Sequence, residues 1–157
     1  MANQRYWLMK SEPDVYSIDN LERDEKTSWE GVRNYQARNY MRDQIKIGDL
    51  ILFYHSNADP SGVAGVAQIS REAYADHLSW DRKSKYFDPK SSPANPIWFM
   101  IDVSFVEKFP HFVSLDELRA EKFLKDMLVL KKGMRLSIQP VDSKHFNWVR
   151  KMGYCSA

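Results

Sequence analysis

Four stretches of this chain set polar groups beside aromatic rings. They are Lys10-Ser11-Glu12, Trp29-Glu30-Gly31-Val32-Arg33-Asn34 running on to Arg38, Tyr54-His55-Ser56-Asn57, and Ser137-Ile138-Gln139-Pro140. A tryptophan close to a glycine can leave its ring face open, because glycine lets a ligand or another backbone approach. Arg33 and Asn34 add fixed donors and an acceptor next to it. Such a set suits a planar, hydrogen-bonding ligand such as a nucleobase. It equally suits a core tryptophan beside a turn glycine, and residue types alone leave both open. His55 has two readings as well: a general base, or a neutral hydrogen-bonding residue that holds a loop. Glu12, beside Pro13, is the second candidate base.

Other chemistries lack their signatures. No GxSxG elbow supports a Ser–His–Asp nucleophile. Gly62 to Gln68 (GVAGVAQ) matches neither GxGxxG nor GxxxxGK[ST], so no nucleotide cofactor is expected. The four histidines (55, 77, 111 and 145) stand at no metal-ligand spacing to one another or to the single cysteine, Cys155. No metal is expected either, since the acids Glu12, Asp14, Asp88 and Asp102 show no spacing that forces a cluster.

The chain has 157 residues, 43% hydrophobic and 28% charged, which suits one domain and argues against disorder. One cysteine gives no internal disulfide, the N-terminal apolar run is interrupted by Lys10 and Glu12, and no apolar stretch reaches membrane-spanning length. The expectation is an intracellular, non-secreted protein without a membrane partner; its oligomeric state is left open, with a monomer favoured. A formal net charge of +2 hides an uneven distribution. Residues 1–30 are acidic on balance. Three basic clusters follow: Arg33, Arg38, Arg42 and Lys46; Arg82, Lys83, Lys85 and Lys90; Lys131, Lys132 and Arg135. With Tyr35, Tyr40, Tyr86 and Phe87 between them, these match a surface that tracks a phosphate backbone and offers stacking platforms. Solvated helix faces and loops would give the same pattern.

These groups must be held by short elements in mixed order. Tyr6 to Met9 reads as a strand ended at Pro13, and Ser17 caps a helix through Leu21. Asn34 to Gln44 has helical spacing. Gly48-Asp49 turns into a buried strand, Leu50 to Tyr54, which Gly62 to Ser70 joins as a hairpin. Strand alternation sends Phe53 and His55 to one face and Tyr54 and Ser56 to the other. Residues 81–96, with three prolines, form a loop. Ile97 to Lys108 is a long strand, Ser114 to Glu117 a capping box, and Leu136 to Val141 a strand. A last helix starts at Asp142 or Ser143 and stops at Gly153. About five strands and four helices without regular alternation favour an α+β domain, a small, mainly antiparallel sheet or barrel with peripheral short helices.

Taken in order, YWLMKSEPDVYSIDNL, W-EGVRNYQARN, GDLILFYHSN, GVAGVAQI-REAY, YFDPKS-NP-WFMIDV-FV and RLSIQPV resemble the EVE domain over Tyr6 to Val149. The resemblance implies a single domain over 1–157 with a PUA-like fold, a small mixed β-barrel related to the YTH, ASCH and SRA domains. It also implies nucleic acid, DNA or RNA carrying a modified base, as the partner, in a bacterial cytoplasm or a eukaryotic nucleus. By similarity to YTH, Lys10-Ser11 lies near bound nucleic acid, Trp29 matches a cage tryptophan, the loop around Tyr86 (with Trp80 the alternative) supplies a second ring, and Arg135 matches a phosphate-binding arginine.

The leading expectation is a non-catalytic reader of a flipped base. Trp29 and Tyr86 stack on it. Ser11, Glu12, Arg33, Asn34, Tyr54, His55, Ser56, Ser137 and Gln139 form the rest of the pocket. Lys10, Arg38, Lys85, Lys90, Lys132 and Arg135 hold phosphates. The alternatives are an enzyme acting on nucleic acid or a nucleotide, with His55 or Glu12 as base, and an adaptor whose rings contact protein.

Overall fold

A computed structural model describes residues 4–155. Six strands form one sheet: β1 (Tyr6–Ser11), β2 (Lys26–Trp29), β3 (Leu50–His55), β4 (Gly62–Ala75), β5 (Phe99–Ser114) and β6 (Ile138–Val141). Their order is β2-β5-β4-β3-β1-β6, and only the β1–β3 pair is parallel. Four helices pack around it: α1 (Ile18–Asp24), α2 (Tyr35–Asn39), α3 (Leu115–Ala120) and α4 (Ser143–Tyr154).

The central strands read as continuous apolar runs because both sheet faces are covered. Trp7, Met9, Ile51 and Phe53 enter one core with Ile18 and Leu21 of α1 and Ala37 of α2. Their alternates Leu8, Leu52 and Tyr54 enter a second core with Leu118 of α3 and Phe146 and Val149 of α4. Asp49 is buried where β3 begins. Its carboxylate accepts from Trp7 Nε1 and the backbone N–H groups of Arg5 and Lys46, all within 3.1 Å, which fixes the turn at Gly48 (φ +93°).

The mixed α+β architecture agrees with the sequence; barrel closure does not. β2 and β6 are sheet edges that do not pair with each other, so the sheet is open. β4 and β5 pair through four register shifts, and such bulges bend a sheet without closing it. The sixth strand, β2, is a four-residue edge strand too short and polar for an alternation signal. β5 runs past Lys108 through Pro110 to Ser114, and β4 past Ser70 to Ala75. The expected helix over 34–44 is α2, capped by Asn34, followed by a wider π-helical turn, Tyr40–Gln44. Gly153 is not a stop. It lies inside α4, where its missing side chain admits the Phe109 ring.

Candidate functional site

β1 delivers Lys10, Ser11 and Glu12 to the carboxyl end of the central strands, and β2 delivers Trp29 beside them. With Val15, Tyr16, Thr27, Ser28, Glu30, Lys85 and Tyr86 they line a cleft of about 400 Å3. Trp29 is half-buried and stands edge-on to Phe53, ring centroids 5.6 Å apart. Ser11 Oγ donates to Tyr16 O at 2.6 Å, and the Tyr16 hydroxyl donates to Asp24 at 2.9 Å. Glu12 accepts from the Asn57 side-chain amide.

Tyr86 forms another part of the cleft wall, and three residues behind it set its position. Gly31 has φ +80°, and a Cβ there would stand 2.6 Å from Tyr86 Cζ, so only glycine admits the ring. Arg33 donates Nε and Nη2 to Tyr86 O at 3.0 and 2.8 Å, and its guanidinium lies 5.4 Å from the centroids of both Tyr86 and Trp98. Asp76, fully buried, accepts from Gly31 N–H at 3.0 Å and from Arg33 Nη1 at 3.1 Å. With Leu78 N–H donating as well, at 3.0 Å, the buried carboxyl group has all its hydrogen bonds made within the protein.

A second cleft of about 530 Å3 meets the first at Lys10, which lines both. Tyr54 lines it, with Arg119, Lys131, Lys132 and Arg135 around it. The Lys10 ammonium donates to Met134 O at 3.3 Å and lies 5.9 Å from the Tyr54 ring centroid. Burial lowers the Lys10 pKa and raises that of the Tyr54 phenol.

The expected pocket is therefore divided. Ser11, Glu12, Trp29, Lys85 and Tyr86 meet in the first cleft, with Lys10 at its border. Tyr54, Lys132 and Arg135 belong to the second. The remaining candidates line neither cleft and have structural partners. Arg33 lies behind the Tyr86 wall. The Asn34 side chain caps α2 by accepting from Ala37 N–H at 3.0 Å. Arg38 is held by Ile97 O and Asn39 and stacks on Tyr35 at 4.9 Å. His55 Nε2 accepts from Ile18 N–H at 3.1 Å at the start of α1, and burial lowers its pKa, so it serves as a neutral acceptor outside the cleft rather than a base within it. Ser56 N–H donates to Ser11 O at 3.0 Å, and Ser137 O accepts from Lys10 N–H at 2.9 Å. Gln139 is buried and donates to Leu136 O at 2.8 Å. Lys90 sits in an exposed turn after Asp88, and Trp80 ends a 3₁₀ turn, His77–Trp80.

Sequence reasoning passed over Tyr16, Thr27, Ser28 and Arg119. Thr27 and Ser28 flank Trp29 on a strand that gave no signal. Arg119 was legible: Leu118 is the buried residue of the capped helix, which leaves its neighbour for the surface. Among the described residues no group of three His, Cys, Asp or Glu is placed to hold a metal, and no helix is long and apolar enough to cross a membrane.

The first cleft has two rings as walls and both donors and acceptors between them; the second is lined by cations and no acid. Together they set an aromatic, polar cleft beside a cationic one. The chain belongs to the EVE domain family, whose model matches residues 5–152. It is 41% identical to human thymocyte nuclear protein 1 over 163 residues, covering 92% of this chain and 72% of that protein. It is also similar to the crystal structure of human THYN1 in complex with DNA containing 5-methylcytosine, at TM-score 0.90 and 39% identity, covering 98% of this chain and 100% of that one. The YTH domain of Zygosaccharomyces rouxii MRB1, solved with N6-methyladenosine RNA, superposes at TM-score 0.58 over 99% of this chain and 90% of that one; at 14% identity it shows a shared fold.

Proposed function

We propose that this protein is a non-catalytic, PUA-like nucleic-acid-binding domain that takes a flipped modified base, 5-methylcytosine in DNA, between Trp29 and Tyr86. The observation that carries this reading is that both rings line one polar cleft, which shares Lys10 with a basic one. The 5-methylcytosine complex of a relative 39% identical to this chain supports the choice of base.

The chemistry of the cleft supports the same choice. A cytosine edge presents an amino donor and two acceptors. The Glu12 carboxylate accepts from an exocyclic amine, and Lys85 and the Ser28 hydroxyl offer donors. Flipping costs a few kcal/mol of unstacking. Each ring contact offsets about 1–3 kcal/mol of that. Burying the added methyl contributes only about 0.8 kcal/mol, so preference also rests on the shape of the wall around it. His55 is engaged at the start of α1, which favours binding over catalysis.

The test is fluorescence anisotropy with two DNA oligonucleotides that differ in one 5-methyl group. The wild-type protein should bind the methylated strand more tightly. Trp29→Ala should weaken binding to it by about 5- to 150-fold, the equivalent of one stacking contact, and remove the preference. Equal loss on both strands would show that Trp29 contacts no flipped base.

A further inference from the structure

Alternation along β1 sends Ser11 and Lys10 to opposite faces of the sheet, and Tyr54 follows Lys10 rather than Trp29. The two clefts therefore sit on either side of one strand end. Five cations reach the second cleft from three separate segments: Lys10 from β1, Arg119 from α3, and Lys131, Lys132 and Arg135 from the turn around Gly133 (φ +77°). No carboxylate lines it. Among the described residues, Lys10, Lys131, Lys132 and Arg135 take part in no ion pair, and Arg119 has only an exposed contact to Asp116 at 3.8 Å. What sets the group apart is convergence: five cations and no acid line one cleft, beside the apolar Tyr54, Leu115 and Leu130.

We propose that the second cleft is a distinct nucleotide subsite, which seats the residue adjoining the flipped base, with the connecting phosphate over Lys10 and the next phosphates on Arg119, Lys132 and Arg135. This rests on the reading that the chain binds nucleic acid, and adds to it a minimum footprint of two nucleotides and a fixed point at which the strand crosses the sheet end. The volume, about 530 Å3, lies inside the range of roughly 300–1,000 Å3 that small-ligand sites occupy. The apolar side chains suit a sugar or base face, while the cations beside them suit phosphates. Lys10 has one of its three donors on Met134 O, which leaves the others for a phosphate oxygen from either cleft. A sequence-independent subsite of this kind supplies affinity and register, and leaves discrimination to the first cleft.

The experiment measures binding of single-stranded DNA, methylated and unmethylated, over a series of salt concentrations. It compares the wild type with the double variant Lys132→Ala, Arg135→Ala. Both side chains are exposed and take part in no hydrogen bond among the described residues, so the variant keeps the fold, which thermal unfolding checks. The slope of log K against log salt should flatten by about 1.4, or about 0.7 per lost phosphate contact, and equally for both strands. Methylated dinucleotide should bind the wild type more tightly than the mononucleotide, and the variant should lose that gain. An unchanged slope, or a dinucleotide no better than a mononucleotide, overturns the proposal. A flattened slope on strands between which the protein shows no preference refutes the flipped-base reading and leaves the second cleft as a nucleotide subsite without it. No binding of either strand removes both.

Discussion

Arg33 is the residue whose role changed most between sequence and structure, and Arg33→Lys tests that role. Read from its neighbours, it is a ligand-facing cation. In the fold it fastens the Tyr86 wall, with two donors on Tyr86 O, one on Val32 O, one on Asp76, and its plane against two rings. Lysine keeps a positive charge for the buried Asp76 carboxylate but cannot span Asp76 and Tyr86 O together, and it has no plane to stack. Hydrogen bonds from a charged donor contribute about 1.5–3 kcal/mol each and exposed cation–π contacts about 0.5–1. The Tyr86 and Val32 carbonyls regain water when released, so the net loss of stability should be about 2–4 kcal/mol. Chemical denaturation measures it.

The consequence for binding follows from the same geometry. An unfastened Tyr86 forfeits its stacking contact, about 1–3 kcal/mol or roughly 5- to 150-fold in affinity for methylated DNA. A double-mutant cycle separates this from direct contact. If Arg33 acts through the wall, Arg33→Lys should cost little further affinity once Tyr86→Ala is present. Fully additive losses would mean that Arg33 touches the ligand, and the reasoning would fail. It would fail equally if Arg33→Lys lowered stability and left affinity whole.

Two further outcomes concern groups outside the two clefts. His55 faces Phe53 and Phe112, with the Asp19 and Lys108 charges nearby, and accepts from Ile18 N–H through Nε2, so protonation sets two donors against each other. Its folded pKa lies below the ordinary value of about 6.5, so its contribution is fully present above that pH and is lost as pH falls through the folded value. Unfolding free energy should decline on acidification over this window, His55→Leu should flatten the decline, and an identical profile in the variant would contradict the assignment. Gly153→Ala reverses the usual sign of its substitution. Glycine to alanine inside a helix ordinarily gains about 1 kcal/mol, yet here the new methyl meets the Phe109 ring, and overpacking costs about 1–3 kcal/mol. The melting temperature should fall; a rise would mean that Phe109 moves aside freely.

How far the site was legible depends on the distance over which each signal acts. β1 and β3 were readable because burial on both faces turns a strand into an unbroken apolar run, Tyr6 to Met9 and Leu50 to Tyr54. Capping signals were readable for the same local reason: Ser17 and Ser114 each accept from the N–H three residues on, although the Glu117 carboxylate turns to His111 and leaves the expected box at Ser114 half-formed. β2 was not readable, since an edge strand of Lys-Thr-Ser-Trp owes its pairing entirely to β5. Nor was the Tyr86 wall, whose supports, Gly31 and Arg33 on one side and Asp76 on the other, come from two distant segments. Gly31 looked like a turn residue, Arg33 like a free cation, and Asp76 like nothing in particular beyond the expected end of β4. The resemblance to YTH domains drew attention to Trp29 and Tyr86, but no spacing joined them.

The placement of Tyr54 in a cleft apart from Trp29 is the instructive case, because the rule that accounts for it was already in hand. Alternation along β3 placed Tyr54 opposite Phe53 and His55, and Trp29 packs against Phe53. A residue on the Tyr54 face cannot share a cleft floor with Trp29 unless the strand ends or bulges between them. β3 does shift register against β4 between Phe53 and Tyr54, yet the two residues still point to opposite cores. Grouping residues by chemistry gave one pocket; grouping them by strand parity gives two, joined at the next-to-last side chain of β1. Lys10 is that side chain, and for this reason a charge change at Lys10 should disturb both clefts at once, whereas changes at Trp29 or Arg135 should each disturb one.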